Sequence, residues 1–302
     1  DYTKLTAKAA LMTKYGFYIG HADCFNGTHN DHKDQRTLLN NGLNTINQYA
    51  DHDMPLGWFL PNDGYGCGYG GLDNLKQFVD KANNQKVEVG LWTQSNLYPD
   101  PNLPVDSPLR RDLDGEVKAG VRAIKTDVAW VGQGYSMALD ATRQAAEGIQ
   151  KEDNSGGARP FVISLDGWAG TQRYAGLWSG DQYGGNWEYI RMHIPTYIGA
   201  GLSGNPNVGS DMDGIFGGDA KVQTRDFQWK AFTPIQIDMD GWASGGNDYS
   251  KSKNPWNYGE PYASINRMYL NLKSQMLPYI YTIAEEATSK SMAMIRGMML
   301  EY

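Results

Sequence analysis

The run Gly120-Val121-Arg122-Ala123-Ile124-Lys125-Thr126-Asp127 reads as a short, mainly apolar strand that ends in charge. Alternate residues of a strand share a face, so Lys125 and Asp127 point the same way. A carboxylate beside an ammonium stays ionised, the form in which it attacks an electrophilic carbon. The same spacing also fits a salt bridge that closes a strand. The fold is decided by repetition of the pattern. Apolar runs bounded by Gly, Pro or Asp occupy 16–20, 55–60, 87–92, 121–126, 160–165, 174–178, 206–210 and 232–237, with helical stretches between them. Eight strands alternating with helices predict an α/β fold, a (β/α)8 TIM barrel. Asp63, Trp92, Asp127, Asp166, Asp181, Asp211 and Asp238 stand at the ends of these runs, the barrel face where ligands are held.

A length of 302 residues suits a single barrel spanning 1–302, excised from a larger chain, and 40% hydrophobic residues supply its core. The longest apolar runs fall short of the ~20 residues a bilayer requires, so membrane insertion is not expected. A net charge of −7 with no cluster of Lys and Arg argues against nucleic acid. The 9 Trp and 19 Tyr suit stacking on sugars and equally suit packing. Cys24 and Cys67 fit at most one disulfide and no zinc or redox motif. The opening Asp1-Tyr2-Thr3-Lys4 has no leader pattern, while an extracellular or cell-surface location is the expectation. Residues 93–108, rich in Pro and Asn, read as an irregular lid loop. A long helix over 263–290 should kink at Pro278, and the apolar stretch 291–302 reads as the start of a C-terminal β-domain.

A second constellation is Arg173-Tyr174-Ala175-Gly176-Leu177-Trp178-Ser179-Gly180-Asp181. An indole near a carboxyl raises its pKa and keeps a proton ready for a leaving oxygen, although Asp181 also fits a helix N-cap. Two carboxyls in contrasting settings are the minimum for glycoside cleavage, and a gap of ~5–5.5 Å between them means retention of configuration. Asp211-Met212-Asp213-Gly214 and Asp238-Met239-Asp240-Gly241 resemble the opening of a calcium loop but lack its full spacing and terminal Glu. They read better as acceptors for sugar hydroxyls, and neither metal nor cofactor is expected. Gly66-Cys67-Gly68-Tyr69-Gly70-Gly71 is a literal GxGxxG, yet Pro61, Asn62 and Asp63 separate it from the strand and no two-halved sheet follows. The five His residues show no metal spacing, and His21 alone ends a predicted strand.

From about residue 55 onward these runs resemble glycoside hydrolase family 31. The likeness lies in Arg173 through Asp181, in Gly209-Ser210-Asp211-Met212-Asp213-Gly214-Ile215, and in Arg225, Gln228, Ala231, Phe232 and Pro234. Arg267-Met268-Tyr269, Leu277-Pro278-Tyr279-Ile280-Tyr281 and Met294-Ile295-Arg296 continue it in order. The resemblance implies a retaining mechanism with Asp127 as nucleophile and Asp181 as acid/base. It further implies that Asp63 holds sugar hydroxyls and that Arg173 lies near the acid/base. Flanking β-domains and an oligosaccharide or glycoconjugate glycan as partner are implied as well.

Two departures bear on specificity. Lys125-Thr126-Asp127 stands where typical α-glucosidases of the family have Trp-x-Asp, and it resembles the lysine of related α-galactosidases. Ile237-Asp238-Met239 stands where typical members have Arg-x-His. Both direct the expectation to a galacto-configured sugar, first N-acetylgalactosamine, as in the bacterial α-N-acetylgalactosaminidase branch of the family. An α-galactosidase comes next, then an α-glucosidase or transglycosylase. A catalytically inactive carbohydrate-binding barrel is the alternative class. Trp92, Trp168, Trp178 and Trp242 are candidates for stacking on the sugar, with His21 and Asp23 as further candidates.

Overall fold

Eight parallel strands close in chain order, β1 Ile19–Ala22, β2 Trp58–Leu60, β3 Glu88–Thr93, β4 Ala123–Thr126, β5 Phe161–Ser164, β6 Gly176–Trp178, β7 Val208–Asp211 and β8 Ile235–Met239. The computed structural model describes residues 2–22, 35–63, 68–94, 96–104, 107, 110–127, 135–216, 218–239 and 253–302. Pairing of His21 with Asp238 and of Ala22 with Met239 joins β8 to β1 and closes the barrel. Each predicted run meets its strand. The first is displaced, because Lys14–Phe17 forms a 3-10 turn and β1 starts only at Ile19.

The two-residue period of the strands sorts their side chains. Trp58, Leu60, Ala123, Phe161, Ile163, Trp178, Ile235, Ile237 and Met239 pack in one cluster inside the barrel. Phe59, Val89, Leu91, Ile124 and Val162 point the other way, onto Leu75, Phe78 and Val79 of α3 (Leu72–Asn84) and Ala141 and Ala145 of α5 (Tyr135–Gln150). Trp58 fills the interior near the start of the strands. A Cβ on Gly20 would sit 1.9 Å from its indole, so the facing position has room for glycine alone.

Among the described residues the remaining helices are α1 (Tyr2–Thr6), α2 (Gln35–Asp51), α4 (Leu113–Ala119), α6 (Glu152–Ser155), α7 (Trp187–Leu202), α8 (Ala220–Lys230), α9 (Tyr262–Gln275) and α10 (Leu277–Lys290). Side chains of Asp112, Asn186 and Asp219 accept backbone N–H groups at the starts of α4, α7 and α8. The expected kinked helix is two helices that meet at Met276. Pro278 sits in the first turn of α10, where a missing N–H costs no intrahelical bond. Described residues between Gln94 and Ser107 form turns, with Asp100 accepting the Asn102 N–H and Leu97 buried in the core. Residues 291–302 contain a 3-10 turn at Met298–Leu300 and no strand. No helix among the described residues is long and apolar enough to cross a membrane. Cys24, Cys67, Asp23 and Trp242 lie outside the described residues.

Candidate active site

Lys125 forms the hub of the barrel mouth. Its ammonium, fully buried on β4, donates to Asp63 Oδ1 at 2.9 Å. The same Nζ lies 3.8 Å from the ring centroid of Trp178 on β6 and 4.0 Å from Met239 Sδ on β8. Trp178 passes the contact onward, donating Nε1 to Asp211 Oδ1 on β7 at 2.9 Å. Asp127 follows β4 by one residue and is half-buried, its N–H bound to Thr93 O at 3.0 Å. Trp92 of β3 donates its indole N–H to Asp127 Oδ2 at 2.7 Å. Asp181 stands three residues past the end of β6, exposed, and its carboxyl makes no hydrogen bond with the described residues.

One ammonium serves several carboxyls. Burial alone would lower the Lys125 pKa, but Asp63, Asp127 and Asp211 outweigh it and hold the group above its ordinary value. Asp63 is raised by burial despite its bond to Lys125. Burial pushes Asp211 up to about 7, with Lys125 opposing and Asp181 and Asp63 adding. Its Oδ2 has no partner among the described residues. Asp181 is exposed at the rim, yet the barrel wall withholds enough water to push it up to about 6, with Lys125 opposing and Asp127 adding. Burial thus pushes Asp181, Asp211 and Asp63 toward the protonated form, while the Lys125 ammonium beside them opposes that shift.

Of the residues expected from the sequence, Asp63, Lys125, Asp127, Trp92, Trp178, Asp211, Asp181 and Met239 come together around this mouth. Asp238 does not. It is buried outside the barrel wall, accepting from Tyr49 Oη of α2 at 2.9 Å and lying 3.3 Å from His21 Nδ1. Neighbours on a strand face opposite ways, so with Met239 inward Asp238 must point out. His21 shares that outer layer, stacked on Phe59. Arg173 is also displaced. It precedes β6, at the end where strands begin, exposed, with Nε donating to Gly170 O and the guanidinium over Tyr174. Neighbouring Gln172 binds residues 6 and 7 there. Asp166 accepts from Thr171, and Trp168 is exposed after β5.

The bracing of Trp92 had no sequence signal. Asn62 Oδ1 accepts the Trp92 N–H at 2.8 Å and its Nδ2 donates to Trp92 O at 3.2 Å. Arg111 also donates to Trp92 O and makes a two-point bond to Glu116, which accepts from Tyr69 Oη at 2.7 Å. These groups are spread over the β2–α3 and β3–α4 connections and helix α4, and only folding assembles them.

The geometry defines a closed (β/α)8 barrel with an anionic, indole-lined mouth. Residues 69–283 match the family model described as the glycosyl hydrolases family 31 TIM-barrel domain, and the chain belongs to that family. It is 35% identical over 147 residues to alpha-glucosidase 2 of Bacillus thermoamyloliquefaciens, covering 48% of this chain and 18% of that protein. It is 28% identical over 183 residues to the alpha-xylosidase of Saccharolobus solfataricus, covering 57% and 23%. Thus the chain spans about a fifth of the length of these relatives. The solved ER glucosidase II heterodimer is similar over the whole chain and 39% of its own, with TM-score 0.79 and 16% identity. The cycloalternan-degrading enzyme from Trueperella pyogenes in complex with covalent intermediate is similar over 98% of this chain and 51% of its own, with TM-score 0.77 and 15% identity. At such identities the two structures speak for the fold.

Proposed function

We propose that this barrel is the catalytic domain of a retaining α-glycoside hydrolase that removes a terminal α-linked, galacto-configured sugar, first of all N-acetylgalactosamine. The observation that carries the chemistry is the contrast between two carboxyls at one mouth: Asp127 is clasped by the Trp92 indole N–H, while Asp181 is unclasped and pushed up to about 6. In the first step Asp127 attacks the anomeric carbon. The C–O bond breaks, its electron pair stays with the leaving oxygen, and Asp181 supplies that oxygen with a proton. In the second step Asp181 takes a proton from water, whose oxygen displaces Asp127 from the glycosyl ester. Asp63 and Lys125 hold sugar hydroxyls, and Asp211 offers a further acceptor or donor.

The choice of sugar rests on Lys125 and Met239, in contact at 4.0 Å. An ammonium two residues before the nucleophile matches the α-galactosidase pattern. A thioether in place of imidazole leaves an apolar wall that suits an acetamide methyl. An α-glucosidase is the second reading, favoured by the name of the Bacillus relative. Flanking domains, an extracellular or cell-surface setting and a glycan partner belong to the same proposal.

Hydrolysis of 4-nitrophenyl α-glycosides of N-acetylgalactosamine, galactose, glucose and N-acetylglucosamine, with Asp127→Asn as control, tests it. Preference for N-acetylgalactosamine, lost in the variant, is expected. Preference for glucose refutes the sugar assignment and leaves the mechanism standing. Sugar binding without turnover by the folded wild-type chain favours a carbohydrate-binding barrel.

A further inference from the structure

Asp213, second carboxylate of the first Asp-x-Asp-Gly run, is fully buried in the turn after β7, two residues past Asp211. Its carboxyl is already filled by backbone: Oδ1 accepts the Gly185 N–H and Oδ2 the Asp219 N–H, each at 2.7 Å. Its own N–H goes to Asp226 Oδ2 at 2.7 Å, and its carbonyl accepts Lys253 Nζ at 3.0 Å. Each oxygen of its carboxyl is thus tied to a backbone amide of a neighbouring segment.

The segment held this way begins at Asp181. Gln182 O accepts from Ile215 N at 2.9 Å, Gly184 N donates to Phe216 O at 2.6 Å, and Tyr183 pairs with Phe216 as an isolated bridge. The loop after β6 and the turn after β7 thus form one interlocked unit. Asp213 and Gly214 both adopt the left-handed conformation, with φ of 52° and 68°. A Cβ on Gly184 would lie 1.9 Å from Asp213 O, and one on Gly214 would lie 2.4 Å from Gln182 O. The Asp181 carboxyl has no hydrogen bond to the described residues, so among them it is the backbone of 181–185 that sets where its side chain starts.

We propose that Asp213 is the positioning residue of Asp181, clamping residues 182–185 to the β7 turn and so fixing the direction from which Asp181 delivers its proton. The proposal rests on the reading of Asp181 as acid/base, and the test separates the two. Wild type, Asp181→Ala, Asp213→Asn and Asp213→Gly are assayed on phenyl and 2,4-dinitrophenyl α-glycosides of the preferred sugar, because a good leaving group departs without a proton. Asn keeps the shape of the side chain and Gly removes it, and both tolerate the left-handed backbone. Asp181→Ala should lower kcat/KM ~10²–10⁴-fold on the phenyl glycoside and far less on the dinitrophenyl one. Asp213→Asn should show the same pattern, ~10–100-fold against less than ~3-fold, with Asp213→Gly steeper. Equal losses on both substrates, or none on either, from folded Asp213 variants overturn the proposal. Absence of leaving-group dependence in Asp181→Ala overturns the acid/base reading itself.

Discussion

The indole N–H of Trp92 spans 2.7 Å to Asp127 Oδ2 and helps orient the carboxyl proposed as the nucleophile. Hydrogen bonds to an ionised partner contribute ~1.5–3 kcal/mol, and a near-attack pose depends on orientation. Trp92→Phe keeps an aromatic ring on β3 and removes the donor. The expected result is a fall in kcat of ~10–100-fold with KM within ~3-fold, measured by steady-state kinetics. A larger change in KM than in kcat would assign Trp92 to sugar binding. At this scale the sequence was informative where chemistry and strand period coincide: Lys125 and Asp127 were legible as a same-face pair. The groups that brace Trp92, from Asn62 to the Arg111–Glu116 pair, were illegible because each is an ordinary loop or helix residue until the fold converges them.

At the scale of elements, eight short apolar runs were enough to predict the barrel, but not the parity of every strand. The run read as 232–237 continues to Met239, and both Asp238 and Met239 were expected in the pocket. A strand admits only one of two neighbours to its inner face, so the outer one joined the Tyr49 and His21 layer behind the wall. Arg173 failed for a related reason. Motif contiguity placed it with Asp181, whereas β6 runs from Gly176 to Trp178 between them and carries the two to opposite ends of the barrel. Asp238→Asn therefore separates stability from binding. Expected are a melting temperature lowered by a few degrees, from ~1–3 kcal/mol of disturbed buried polar contacts, and a KM within ~2-fold of wild type. A rise in KM beyond ~10-fold would place Asp238 back in the pocket.

For the whole molecule, the two ends of the barrel use buried charge differently. The mouth collects carboxyls around Lys125, while the opposite end holds Glu88, at the start of β3, whose Oε2 lacks a partner among the described residues. Burial pushes Glu88 up to about 7, with Arg122 opposing. A carboxyl whose folded pKa exceeds its unfolded one favours the protonated folded state. Its contribution is complete below the ordinary carboxylate range and is lost as pH rises toward 7. Glu88→Gln should accordingly stabilise the chain at pH 8 by roughly 1–2 kcal/mol, about 2–4 °C in Tm, and change little at pH 4. Thermal unfolding at both pH values checks this, and destabilisation at pH 8 would show that the carboxylate is held by favourable contacts.

Retention through an ester on Asp127 is the claim on which the catalytic reading depends. Incubation with a 5-fluoro glycosyl fluoride of the best sugar, followed by proteolysis and peptide mass mapping, addresses it directly. The expected result is one glycosyl label, located on Asp127. A label on Asp63 or Asp211, or a first-formed sugar of inverted configuration, would contradict it.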